Sequence, residues 1–354
     1  MVFLGDVAHP FRTVPRWNDL SGSWEEQVCV MNLEGGVVEA VSEHLKKRVL
    51  VNHCSLLDLM GSFGGAAAVL ANNHITDVPE GITGTSERLV RVGVGSMGAG
   101  TNSQEASRPL TVWESGTQIT LLAFGWPVIQ CRSARKGSEG VNPLEPQHVL
   151  ESIERCRETL PGGALILNMH WNYEGEVYPQ PAHRQLAFAA IDAGVDAVVG
   201  HHPHCVGGIE FHRDRPIVYS LGNWWLPQGV FFGGDLSYPE RARLQLAFEW
   251  APGRDAIAHW FEYRQMGDEH SLGHLESEPV NRSRRIEDLT PFRGISHQEY
   301  KHWFRRHRLK RRGLPIYYDY DAVWRNRVKD GIVKLRHVIL RAAEVFGVRG
   351  LLPK

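Results

Sequence analysis

Short apolar runs recur along the chain at 27–31, 66–71, 119–124, 164–169, 197–200 and 216–221, each closed by a polar or glycine-rich turn. Runs of about four to eight residues with β-branched content predict strands, although periodicity alone does not separate them from short buried helices. Between them, 146–160 and 182–193 read as helices, the second with Leu186, Ala189, Ala190 and Ala193 at helical spacing. Strands alternating with helices predict an α/β domain, and open α/β sheets gather their ligands at strand ends.

The pattern changes after the strand-like stretch 256–263. Residues 265–298 are rich in Gly, Ser, Glu and Asp and read as a linker or irregular segment. Residues 299–312 are dense in Arg, Lys and aromatics, 313–315 break the chain, and Val328, Leu335, Ile339 and Phe346 mark one face of an amphipathic helix ending near Gly347. The expected organisation is a catalytic-type domain over 1–264, a linker over 265–298 and a basic helical extension over 299–354.

Composition adds two constraints. The 354 residues are 42% hydrophobic and 22% charged, enough for one large domain with an appendage. The overall charge of -1 conceals an asymmetry, because 299–354 carry 15 Lys and Arg against 5 Asp and Glu. An acidic body with a basic tail predicts different partners for the two parts. The 5 cysteines are scattered without a C-x-x-C pair, which argues against a disulfide framework or a zinc knuckle and for a reducing compartment. With no leader-like start and no apolar run near the roughly 18 residues of a membrane span, the chain is expected to be cytoplasmic. The tail would then offer a peripheral hold on a membrane.

Candidate chemistry sits where the apolar runs stop. Residues 198–200 run into His201, His202, Pro203 and His204, and two histidines at i, i+2 on an extended loop can face one metal centre. Such a segment alone is also compatible with a surface histidine cluster. The run 164–169 ends in His170, followed by Trp171 and Glu174, and 66–71 leads into Asn72, Asn73, His74 and Asp77. A single histidine after a strand is more often structural, and Asn-Asn is good capping chemistry. The balance shifts when several strands end alike, and Asp6 and Glu34, the latter in Asn32-Leu33-Glu34-Gly35, add carboxylates at two further ends. Nitrogen and oxygen donors without thiolate favour Mn, Fe or Zn.

In this order, with Gly98-Ala99-Gly100, 194–200 and Tyr219-Ser220-Leu221-Gly222-Asn223, the blocks resemble the CapA family of poly-γ-glutamate capsule biosynthesis. That family resembles the calcineurin-like metallophosphoesterases, and the likeness implies an α/β sandwich of two mixed β-sheets flanked by helices. It further implies Asp6, His170, His202 and His204 as metal ligands, with Glu34 and Asn73 at or between two divalent ions. His74 would be the proton donor, backed by Asp77, while Asn32, Glu174 and Asn223 would bind substrate. His201 ranks below its neighbours. This chain departs from the pattern at His9, three residues after Asp6 instead of two, at Asn172 in place of Gly, and at Trp224 in place of Phe.

The function expected from this likeness is a metal-dependent, phosphoesterase-type hydrolase serving biosynthesis of a capsule-like or poly-glutamyl polymer or a related metabolite. Two alternatives stay open: an accessory that binds an anionic polymer or phosphorylated precursor without hydrolysis, and metal-assisted amide chemistry on a glutamyl substrate. The tail residues Lys301, Arg305, Arg306, Arg308, Lys310, Arg311 and Arg312, interleaved with Trp303, Phe304 and His307, suit an anionic membrane or polymer. Nucleic acid is not expected, and simple packing against the acidic body would account for the same pattern.

Overall fold

A computed structural model describes residues 1–345, except 16, 18–23, 25, 161, 268 and 310–312. Lys310, Arg311, Arg312, Phe346 and Gly347 therefore lie outside the described residues.

Two mixed sheets flanked by helices form a sandwich, as the resemblance implies. The first sheet has β1 (Val2–Val7), β2 (Val28–Leu33), β3 (Gly65–Val69) and β4 (Gly95–Met97) in parallel order. The second contains β5 (Leu110–Glu114), β6 (Thr117–Gly125), β7 (Ala164–His170), β8 (Ala197–His201), β9 (Ile209–His212) and β10 (Arg215–Val218). Its order is β9-β10-β8-β7-β6-β5, parallel except at its two hairpin edges. Beyond it, β11 (Asn223–Trp225), β12 (Leu244–Glu249), β13 (Ile257–Met266) and β14 (Glu269–Pro279) return to the first sheet. The two sheets share one continuous core, in which Phe3, Val30, Leu122, Phe124, Leu167 and Val199 are all buried. The near-continuous apolar runs fit strands covered on both faces.

The residues expected in a linker do not form one. β14 pairs along its length with β13, from Ile257 opposite Pro279 to Met266 opposite Glu269, and a short helix follows at Arg284–Leu289. An edge strand needs only one buried face, so Leu272 is buried while Glu276 and Ser277 face water. Charged outward positions also discourage pairing with another chain, and they give the segment the composition of a loop.

Helices α1 (Gly81–Arg91), α2 (Pro146–Thr159) and α3 (Pro181–Asp192) lie between strands. Further on, α4 (His297–His307) opens with a capping box between Ser296 and Glu299, and buries Tyr300 and Phe304. The Tyr300 hydroxyl donates to Pro179 O at 2.7 Å, and Arg184 of α3 makes a buried fork with Glu210 at 2.6 and 2.8 Å. The basic segment is thus packed on the body through its aromatic face. The last helix is α5 (Val323–Val345), and no helix among the described residues is long and apolar enough to cross a membrane.

The strand ends converge because two crossings are tight. A Cβ on Gly5 would sit 2.1 Å from Gly222 O, and one on Gly200 would sit 2.1 Å from Tyr219 O and 2.6 Å from Trp171 Nε1. Only hydrogen at these positions lets β1 meet the turn before β11, and β8 meet the segment after β10. Gly200→Ala should therefore cost about 1–3 kcal/mol of stability or more, read as a lower urea midpoint. An unchanged midpoint would show that the crossing is looser than described.

Candidate metal centre

Two carboxylates form the floor of the site. β1 ends in Asp6-Val7 and β2 in Asn32-Leu33, with Asp6 and Asn32 in register and Glu34 immediately after. The Asn32 amide donates to Asp6 Oδ1 at 2.8 Å and to Glu34 Oε2 at 2.6 Å, so one side chain holds both acids. Behind them, Asn52 donates to Glu34 O at 3.0 Å, and Asn72 donates to Leu33 O at 2.8 Å while accepting from Gly35 N and His74 N. Asp6 and Glu34 are both fully buried. Burial, and then the charge of Asp6, push the Glu34 carboxyl up to about 7.

Imidazoles arrive from the second sheet. His170, the last residue of β7, lies with Nε2 2.8 Å from Asn73 Oδ1 and 3.6 Å from Glu34 Oε1. Burial, followed by the neighbouring His202, His201 and His204, holds its pKa well below the usual imidazole range. His204 Nδ1 sits 2.9 Å from Asn223 Oδ1 and 3.2 Å from Asp6 Oδ2. Burial alone would depress it, but the bond to Asp6 and the charges of Asp6 and Glu34 outweigh that and raise it to about 9. The backbone is turned to present these rings, with φ of 94° at His202 and 56° at His204, conformations that L residues seldom adopt. Asn172 has φ 68° and is braced by bonds to Tyr178 O and Gln180. Asn tolerates this left-handed region, which explains how it stands where Gly is usual.

The ligand atoms fall into two groups. Asp6, Glu34 and His170 form one, and Glu34, His202 and His204 the other, with one donor atom per residue lying within 4.8 Å of the others in each. Glu34 belongs to both. Its Oε1 and the Nδ1 of His170 are buried without a hydrogen-bond partner, although a buried polar atom is normally satisfied. Carboxylate, imidazole and carboxamide donors, with the shared Glu34 Oε1 left unsatisfied among them, fit divalent cations.

Beside this centre, His74 Nδ1 meets Asp77 Oδ2 at 2.6 Å, and Asp77 also accepts from Leu50 N at 3.0 Å. Burial pushes the His74 imidazole down, yet the bond and charge of Asp77, helped by Glu34, leave it raised.

Several expectations change in detail. The Asn32 amide donates to Asp6 and Glu34, and Asn223 Oδ1 lies on His204 Nδ1, so both residues also brace the acidic floor and the imidazole. Glu174 is exposed, and its charge acts on His204. Both ring nitrogens of His9 are engaged, Nδ1 accepting from Trp225 Nε1 at 3.0 Å and Nε2 donating to Thr13 O at 2.8 Å, so it is no ligand here. Trp171, Trp224 and Trp225 are core residues, with Trp224 edge-on to Phe261. Tyr238, which no sequence signal marks, is half-buried with its ring 4.6 Å from His204. Its hydroxyl is held well above the usual range by burial and then by Glu174, Glu34 and Asp6.

Residues 7–228 match the family model described as bacterial capsule synthesis protein PGA_cap. The chain is similar to the capsule biosynthesis protein CapA of Bacillus anthracis, 31% identical over 163 residues that cover 45% of this chain and 40% of that protein. It is also similar to a probable polyglutamine synthesis accessory protein of Mycobacterium tuberculosis, 29% identical over 55% of this chain and 54% of that protein. The chain thus spans about half the length of these relatives or less. Among solved structures, the NAD nucleotidase of Haemophilus influenzae aligns with 86% of this chain and 60% of its own, with TM-score 0.39 and 10% identity. That likeness is too distant to bear on fold or activity.

Because Asp77 lifts the His74 imidazole, Asp77→Asn should lower the His74 pKa. Titration of the ring protons by NMR reads this directly, and an unchanged pKa would detach the two residues.

Proposed function

We propose that this chain, which belongs to the bacterial capsule synthesis protein PGA_cap family, is a divalent-metal-dependent hydrolase of the phosphoesterase type. The observation that supports this most is that Glu34 is common to two ligand groups. Asp6, Glu34, Asn73, His170, His202 and His204 would hold two ions of Mn, Fe or Zn. When bound, such a pair supplies Lewis acidity that neutralises charge gathering on phosphoryl oxygens.

The remaining chemistry belongs to the protein. With Nδ1 of His74 engaged by Asp77, Nε2 is the atom that would carry a proton to the leaving group. The contact with Asp77 also raises the His74 pKa, which favours the protonated form that a donor needs. Asn32, Asn52 and Asn72 fix the acidic floor, and Asn223 fixes the tautomer of His204 by accepting from Nδ1. Tyr238 and Glu174 would meet the substrate from the solvent side. The names of the relatives, which speak of capsule biosynthesis and polyglutamine synthesis, support a role in making a polymer of that kind; a phosphoesterase-type site would then act on a phosphorylated precursor, since the polymer itself is joined by amide bonds.

His74→Ala should lose about 10²- to 10⁴-fold in turnover while keeping its metal. The assay pairs elemental analysis with a screen of phosphomonoester, phosphodiester and glutamyl-amide substrates. Metal lost along with activity would make His74 a ligand, and a fully loaded wild-type protein that turns over none of the three classes would replace hydrolysis by binding.

A further inference from the structure

Helix α5 touches the body along one side only. Val333 is fully buried, and Asp330 on the same side accepts from the Tyr317 hydroxyl at 2.7 Å. On the opposite side Trp324, Val328, Ile332, Leu335 and Ile339 fall into one sector of the wheel, and all are exposed, Trp324 at 76% and Leu335 at 61%. This stripe covers about four turns with no polar interruption. Arg325 and Arg336 line one margin of it, and Arg327 and Lys334 the other. Among the described side chains of α5 the carboxylate is Asp330, on the packed side. Next to the helix, Lys301, His302 and Arg305 of α4 share a hollow with Arg325 and Lys329, where the single acid, Asp319, pairs with Lys301.

The charges choose between occupants. A second copy of α5 seated on the stripe would set rows of arginine and lysine against like rows, where paired helices normally carry opposite signs. A soluble polyanion such as poly-glutamate would satisfy the cations but leave the apolar stripe in water. An anionic bilayer surface satisfies both, since acyl chains take the stripe and head groups take the flanking cations. We propose that α5 docks this chain on anionic membranes by lying in the plane of the interface. The helix then holds the body at the surface without crossing the bilayer, and places it where a membrane-associated polymer or lipid-linked substrate would be met.

The test is sedimentation of the full-length chain with vesicles of phosphatidylcholine, and of phosphatidylcholine mixed with phosphatidylglycerol, at low and high salt. The chain should pellet with the mixed vesicles only, and less at high salt. Leu335→Asp with Ile339→Asp should lower the partition coefficient more than about tenfold, and Arg327→Gln with Lys334→Gln about tenfold or more. Circular dichroism and metal content should stay those of the wild type, because all four residues are exposed. Equal binding to the two vesicle types, or wild-type binding by both variants, would overturn the proposal. So would retention on poly-glutamate without vesicle binding, or a dimer in analytical ultracentrifugation that the aspartate variant dissolves.

Discussion

Two buried carboxylates held by one amide are the constraint on which the site depends. Asp6 and Glu34 are fully buried, and Asn32 donates to both. Like charges this close in a low dielectric cannot both persist without positive charge beside them. The protein alone meets that demand with protons, which is why Glu34 and His204 are both pushed up. The same requirement is met by cations, and the imidazoles of His170, His202 and His204 are the neutral ligands that would complete their coordination. Proton and cation would thus compete for one acidic floor, and binding a cation would release protons.

The site around that floor is assembled from two sheets. β1 and β2 bring the acids, and β7 and β8 bring histidines at the same end of the sandwich. Gly5 and Gly200 allow the close crossings. The positive φ values at His202 and His204 belong to the same arrangement: strain of about 1–3 kcal/mol per residue is tolerated where the surrounding sheets over-determine the loop. The tail obeys a different logic, since its aromatic residues bind it to the body while its last helix keeps an apolar stripe outside.

Much of this is legible in the sequence, for a physical reason. Strands covered on both faces are apolar throughout, so Asp6, Glu34, His170 and His202 stand out as the points where such runs break. Asn73, His74 and Asp77 are legible as a local unit because their spacing lets His74 and Asp77 touch. Asn52 and Tyr238 carry no such mark, because Asn52, in a three-residue strand, and Tyr238, in a loop, reach the centre through tertiary contact alone. The linker expectation fails at 269–279 for the reason edge strands are hard to see: one solvated face makes a strand resemble a loop. Asn32 and Asn223 are found by position, and their bonds to the acids and to His204 emerge only in the fold.

The most direct measurement is the metal stoichiometry of Glu34→Ala beside the wild type, by titration with Mn²⁺ and elemental analysis. A carboxylate common to both groups predicts two ions per chain in the wild type and weakened binding of both in the variant. Loss of one ion with the other held at undiminished affinity, or a wild type that binds a single ion, would contradict the account.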